Sequence, residues 1–302
     1  MSILDAIGNT PLVRIDNMNP NPKVIICAKL EGNNPGGSIK DRTALYMVES
    51  AEREGRLTRD KIILEATSGN TGIGLAMVAA AKRYRCKLVM PACVSVERRK
   101  VLEAFGAELI LSPANEATDG AIRLAHQIFA ESPDRYFMPN QFDNPANILA
   151  HYETTGREIL EQTHGTVTHF IAGMGTTGTL MGVGRRLKEH NPAIRIIGVE
   201  PVKGHRVQGL KNMEEAIVPQ IFNPGELDER VIVNDEEAFD TTRRLALQEG
   251  IFVGMSSGAA MHAAISASSS MQSGVIVVLF PDRGARYLST ALFTSVCGKC
   301  PP

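Results

Sequence analysis

Apolar and polar positions fall in alternating blocks along the chain. Val24–Leu30 is an apolar run with β-branched residues and predicts a strand. The next block, 38–54, places Ile39, Leu45, Met47, Val48 and Ala51 at roughly helical spacing. Ser38 with Asp41 three residues later resembles a capping box, and Gly55 is the expected stop. Strands are predicted at 61–66, 86–90 and 108–111, and helices at 71–84, 95–105 and 119–131. The second half repeats the rhythm, with strands at 168–172, 194–200 and 275–280 and helices at 179–190, 235–250 and 257–267. The segment 202–229 is the least periodic and reads as a long loop with short turns.

Strands alternating with helices imply parallel sheets with helices on both faces, and ligands bind beyond the carboxyl ends of such strands. A length of 302 residues suggests two domains or one large α/β unit. Lys plus Arg number 32 and Asp plus Glu 33, a net charge of −1. That balance argues against nucleic-acid binding over a broad basic face and against polybasic membrane attachment. No apolar run approaches the roughly 20 residues that span a bilayer, and the first ten residues lack the basic start of a signal peptide. Five sparse cysteines suit a reducing compartment, so a cytoplasmic location is expected. Cys297 and Cys300 form a lone C-x-x-C without a second half, read as a tail with no metal.

Four loops each open a predicted helix. The first, 33–42, runs Asn-Asn-Pro-Gly-Gly-Ser-Ile-Lys-Asp-Arg and puts Lys40 in a first helical turn, where the helix dipole and burial both disfavour its ammonium. The second, Thr67-Ser68-Gly69-Asn70-Thr71-Gly72, offers hydroxyls, an amide and backbone N–H groups to a carboxylate or phosphate. The third, Gly173-Met174-Gly175-Thr176-Thr177-Gly178-Thr179, suits a phosphate held without lysine or metal, and is neither a Walker A loop nor a clean dinucleotide fingerprint. The fourth is Gly254-Met255-Ser256-Ser257-Gly258. Taken singly, each has an ordinary reading: a solvated lysine, an N-cap cluster, a tight turn or a capping serine.

In this order, the four loops resemble those of the fold-type II pyridoxal-phosphate enzymes, and among them the cysteine synthases, most closely the B type. The resemblance extends from Ile7-Gly8-Asn9-Thr10-Pro11-Leu12 to Arg286-Tyr287-Leu288-Ser289-Thr290. It implies two open, twisted, mostly parallel sheets flanked by helices, with the active site in the cleft between domains. The smaller, mobile domain would be 34–142 with 1–10, and the larger, phosphate-binding domain 11–33 with 143–302. Lys40 would carry the cofactor and remove the α-proton. Asn70 would meet the cofactor's phenolic oxygen, Gly175, Thr176, Thr177, Gly178 and Thr179 its phosphate, and Ser256 its pyridine nitrogen. Thr67, Ser68, Thr71 and Gln141 would bind the substrate carboxylate, with Lys211 and Arg283 as further substrate-binding candidates.

The implied reaction is β-replacement. An activated serine, O-acetylserine or O-phosphoserine, loses its leaving group to give an α-aminoacrylate, and sulfide or thiosulfate adds to make L-cysteine. Lys211 stands where O-phosphoserine users carry arginine, and loses bidentate phosphate recognition. Pro281 stands where some B-type enzymes have cysteine. The alternatives on the same fold are cystathionine β-synthase-like or dehydratase activity, or a non-catalytic binding module. The resemblance further implies a homodimer and no serine acetyltransferase partner.

Overall fold

The computed structural model of the chain describes residues 1–67, 69–92, 94 and 96–294. Its elements follow in chain order as β1 (Leu12–Ile15), β2 (Val24–Leu30), α1 (Lys40–Arg53), β3 (Ile62–Ala66), α2 (Asn70–Lys82), β4 (Arg85–Pro91) and α3 (Val96–Ala104). Next come β5 (Glu108–Ser112), α4 (Ala117–Glu131), β6 (Tyr136–Phe137), α5 (Pro145–Ala150), a π-helical turn at His151–Thr155 and α6 (Gly156–Gln162). The rest is β7 (His169–Gly173), α7 (Gly178–His190), β8 (Arg195–Pro201), β9 (Glu229–Val233), α8 (Asp235–Glu249), α9 (Met255–Ser270), β10 (Gly274–Phe280) and α10 (Ala291–Thr294). Two compact units result, one of Met1–Gly8 and Asn34–Ala150, the other of Asn9–Asn33 and the chain from His151 onward.

The first unit is built on a four-stranded sheet of order β5-β4-β3-β6, parallel throughout. Every residue of β3 is buried, as expected for a strand covered on both faces. Met47, Val48 and Leu75 pack on one side with Leu88 and Met90, while Leu64, Val89, Ala121 and Ala125 form a second cluster. The chain lays down β3, β4 and β5 outward, then returns to place β6 on the other side of β3. Strand order therefore reverses between β3 and β6, and the crevice at such a reversal is where open α/β sheets bind ligands.

The second unit has a six-stranded sheet of order β1-β2-β10-β7-β8-β9, in which only the β1–β2 pairing is antiparallel. Here β7, β8 and β9 run outward and β10 returns beside β7, so the reversal lies between β7 and β10. α8 starts and stops sharply because Asn234 and Glu237 cap each other's backbone N–H groups at 2.9 Å, and Gly250 takes φ +69°.

The predicted alternation matches this order but omits β1, β6, β9, α10 and the helical stretch 145–162; β6 and α10, of two and four residues, are too short to show a period. β1 and β9 are edge strands, and β9 carries Glu229 and Arg230 on exposed positions, which dilutes the apolar signal. Residues 145–162 are helical through a π-turn, a geometry no 3.6-residue period anticipates. The expected capping box of α1 is not formed. Its N-cap is Ile39, Ser38 Oγ accepts from the Lys40 N–H at 3.2 Å, and Asp41 turns back to the Gly36 N–H at 2.6 Å. A loop glycine thus outcompetes the helix start for the carboxylate.

A buried ion pair anchors the start of the second unit. Lys29 Nζ donates to Glu158 Oε2 at 2.6 Å, to Gln162 Oε1 at 2.8 Å and to the Thr10 carbonyl at 2.7 Å. Glu158 Oε1 in turn accepts the Asn9 N–H at 3.0 Å. Removing one member leaves an uncompensated charge in the interior, which costs about 3–5 kcal/mol. Glu158→Ala is therefore expected to lower the stability to urea by that amount, and Glu158→Gln, which keeps an acceptor for Asn9, by less. Equilibrium urea unfolding of both variants checks the order.

Candidate active site

Both strand reversals are lined by the loops singled out from sequence. In the first unit, the turn after β3 leads to Thr67 and the N-terminus of α2, and the chain after β6 leads to Gln141. The Thr71 hydroxyl donates to Gln141 Oε1 at 2.6 Å, with both side chains buried. The reversal thus joins two residues 70 positions apart. Thr67 Oγ1 accepts the Gly69 N–H at 3.3 Å, shaping the turn before α2. Asn70 is the first residue of that helix, capped by Gly69. Ser68 lies outside the described residues.

Lys40 is the first residue of α1 and is half-buried. Burial holds its ammonium down, to about 8, so a useful fraction of the amine is neutral near physiological pH. A glycine in α2 sets its height: a Cβ on Gly74 would stand 2.9 Å from the Lys40 carbonyl and 3.1 Å from Ala44 Cβ. Closer packing of α1 on α2 is possible only because that Cβ is missing. Ahead of Lys40, Gly37 takes φ +82°, a conformation glycine adopts without strain.

In the second unit, β7 ends at Gly173 and α7 begins at Gly178, so the loop 174–177 sits against the helix N-terminus. The first turn of α7 offers N–H groups with no intrahelical partner, and its dipole favours an anion. Thr177 caps the helix at φ +65° and its hydroxyl turns to the Thr176 carbonyl at 2.6 Å. Gly175 faces the backbone of Gly209: an added Cβ would stand 2.7 Å from the Gly209 carbonyl oxygen. Lys211 is drawn to the same loop, its backbone N–H donating to the Met174 carbonyl at 2.8 Å. A cradle of glycine, threonine hydroxyls and helix N–H groups fits a phosphate ester.

Ser256 is buried in the first turn of α9, close to Gly209. The start of α9 is pinned to the chain after β10. Gly254 N–H donates to the Asp282 carbonyl at 3.3 Å, and Gly284 N–H to the Phe252 carbonyl at 3.1 Å. Asp282 accepts the Tyr287 hydroxyl at 2.6 Å, and Arg283 Nε donates to the Gly32 carbonyl at 2.7 Å. Beside Arg283 is a cavity of about 310 Å³ lined by Leu30, Gly32, Ile251 and Phe252.

Two supports escape a loop-by-loop reading of the sequence. His151, in the π-turn, is buried between Thr155 Oγ1 at 3.0 Å from Nδ1 and Thr179 Oγ1 at 3.3 Å from Nε2. A single π-helical turn within a helix is frequent at functional sites, but it has no sequence period to reveal it. Gly209 takes φ +91° within the aperiodic segment, where one more glycine is unremarkable. The two described cysteines are poor nucleophiles: burial pushes the Cys86 thiol up to about 12 and raises that of Cys27. Cys297 and Cys300 lie outside the described residues. No cluster of three metal-ligating side chains occurs among the described residues, and no helix among them is long and apolar enough to cross a membrane.

Residues 3–282 match the family of pyridoxal-phosphate dependent enzymes. A cysteine synthase of Aquifex aeolicus is 48% identical, over 97% of this chain and 92% of that one. Cysteine synthase B of Escherichia coli (strain K12) is 45% identical, over 97% of this chain and 96% of its own. The crystal structure of cysteine synthase (OASS) from Entamoeba histolytica superposes with a TM-score of 0.92 at 38% identity, covering 96% of this chain and 90% of that one. With two mostly parallel sheets and this extent of likeness, the chain belongs to the pyridoxal-phosphate-dependent enzymes of fold-type II, among the cysteine synthases.

Proposed function

We infer that the protein is a cysteine synthase that makes L-cysteine from an activated serine and sulfide with pyridoxal 5′-phosphate. The observation that carries the reading is Lys40. A half-buried lysine with its ammonium lowered to about 8 opens a helix in a chain of this family. O-acetylserine is the favoured ester, because Lys211 offers a phosphate ester a point charge and no bidentate grip. Homodimerisation, a cytoplasmic location and the absence of a serine acetyltransferase partner complete the proposal.

Bound pyridoxal phosphate supplies an electron sink that lets a substrate Cα–H bond break and the β-substituent leave. In this reading Lys40 holds the cofactor covalently, and its Nζ carries the α-proton away from the substrate and back. Asn70 orients the cofactor ring through its phenolic oxygen. Gly175, Thr176, Thr177, Gly178 and Thr179 bind the phosphate with N–H groups and hydroxyls, and His151 holds Thr179 in place. Ser256 addresses the ring nitrogen with a neutral hydroxyl. Thr67, Ser68, Thr71 and Gln141 receive the substrate carboxylate. Arg283 would border the sulfur donor's approach and admit thiosulfate as a second donor.

The direct test supplies purified protein and cofactor with O-acetylserine and, in parallel, sulfide, thiosulfate, homocysteine or water alone. Cysteine formation with sulfide is expected. Cystathionine or keto-acid production without it would turn the reading to the other activities of the fold.

Lys40→Ala should abolish turnover and the borohydride-trapped attachment of cofactor. In the unaltered protein, attachment should accelerate as Lys40 loses its proton. A group titrating at about 8 is neutral in about one molecule in eleven at pH 7 and in half at pH 8, so the initial rate should rise about fivefold across that unit. Stopped-flow absorbance at the two pH values measures it, and a flat profile contradicts the assignment.

Gly175→Ala brings a methyl group against the Gly209 carbonyl and should close the phosphate cradle. The expected result is at least about a tenfold loss of affinity for pyridoxal phosphate, set by the loss of charge-assisted bonds to the anion. Affinity for pyridoxal, which lacks the phosphate, should be unchanged. Equilibrium dialysis with the two aldehydes separates the cases.

A further inference from the structure

In the second unit, the chain between β8 and β9 contains a strap, residues 207–213, that touches both loops assigned to the cofactor. Gln208 N–H donates to Met255 Sδ at 3.0 Å, and Lys211 N–H to the Met174 carbonyl at 2.8 Å. Between these two bonds the Gly209 carbonyl opposes Gly175, and a Cβ on Gly209 would lie 3.7 Å from Ser256 Oγ. Leu210 is seated over Gly173, in the space a Cβ there would fill. The strap therefore meets the phosphate loop on one side and the start of α9 on the other.

A buried carboxylate ties the strap to the sheet. Glu200, next to last in β8, is buried, and its Oε1 accepts the Met213 N–H at 2.6 Å. Its Oε2 accepts from Arg230 Nε at 3.1 Å and from Nη2 of the same guanidinium. Arg230 stands on β9, the strand paired with β8. The residue before Met213 adds a second anchor. Asn212 Nδ2 donates to the Pro201 carbonyl at 2.9 Å, and its Oδ1 accepts the Glu214 N–H at 3.0 Å. The phosphate loop starts from the same stretch of strand, since the Met174 N–H donates to the Val199 carbonyl at 2.8 Å. Three consecutive residues, Val199, Glu200 and Pro201, thus hold the loop and the strap together. Of these bonds the one to the ionised carboxylate is the strongest, being charge-assisted.

We propose that Glu200 is a positioning residue for the cofactor: by fixing the strap to the end of β8, it holds Gly209 where it spaces Gly175 from Ser256. The proposal rests on the cysteine synthase reading above, in which Gly175 meets the phosphate of pyridoxal phosphate and Ser256 its ring nitrogen. Glu200 acts through Met213 and Gly209, with no part in the chemistry. Truncating it removes the acceptor of both the Met213 N–H and Arg230. The bonds of Lys211 to Met174 and of Asn212 to Pro201 remain, so the strap loosens without being released. The loss then falls on the fit of both ends of the cofactor, unlike that of Gly175→Ala, which touches the phosphate alone.

The test is equilibrium dialysis of the full chain against pyridoxal phosphate and, separately, against pyridoxal. Glu200→Ala should bind each about three- to tenfold more weakly, up to the scale of one hydrogen bond to a charged group. Asn212→Ala, which cuts the second anchor of the same strap, should shift both affinities in the same direction. Asn21→Ala serves as the control for a merely structural loss. Asn21 Nδ2 ties down the far end of α9 through the carbonyls of Ser268 and Met271, at 2.9 and 2.8 Å. Its removal should lower the urea midpoint and leave both affinities unchanged. Unchanged affinities in Glu200→Ala, a loss confined to pyridoxal phosphate, or an equal loss in Asn21→Ala would overturn the proposal. Should Glu200→Ala not fold, Asn212→Ala decides by the same outcomes. Failure of the cysteine synthase reading appears separately, as an unaltered protein that takes up no cofactor and forms no cysteine, and the proposal falls with it.

Discussion

A parallel strand cannot follow its neighbour by a hairpin; it needs a crossover, and the crossover returns every loop after a strand to the same edge of the sheet. Where strand order reverses, the loops leave in opposite directions and the crevice between them is uncovered. Each unit of this protein contains one such reversal, between β3 and β6 and between β7 and β10. The chemistry follows from that constraint. Thr71 meets Gln141 because their strands flank the first reversal, and the 174–177 loop is available to an anion because it borders the second.

The same arrangement decides how charge is handled. α2, α7 and α9 all begin at the carboxyl edges of the sheets, so their first-turn N–H groups, which have no intrahelical partner, favour an anion. Fixed dipoles take the place of basic side chains, which suits a chain with a net charge of only −1. The one lysine assigned chemistry is held near 8 by burial, ready to act as an amine. Neither described thiol is poised as a nucleophile, since those of Cys27 and Cys86 are both raised by burial.

Much of this was legible in the residues. Glycine–hydroxyl clusters that open helices have a local physical cause, and 67–72, 173–179 and 254–258 stand where their composition puts them. The strands that were legible were those buried on both faces, such as Ile62–Ala66 and Gly274–Phe280. What was not legible depends on distant chain. The need for glycine at 74 and 175 arises from the carbonyls of Lys40 and Gly209 across a packing contact. His151 reaches Thr179 through a π-turn that leaves no periodic trace. The Ser38–Asp41 pattern was misleading for the same reason: Asp41 found the Gly36 N–H, a partner that a local helix rule does not weigh.

Two buried carboxylates show how environment decides the charge a carboxyl carries. Glu158 is matched on both oxygens, by Lys29 Nζ on one and the Asn9 N–H on the other. It has nothing left to exchange, and its role is to bind the start of β1 to α6. Glu65 has one oxygen without a bond, no cation acting on it and the charge of Asp143 opposing its ionisation. Burial accordingly raises the Glu65 carboxyl, while Glu158 has its charge matched by a cation.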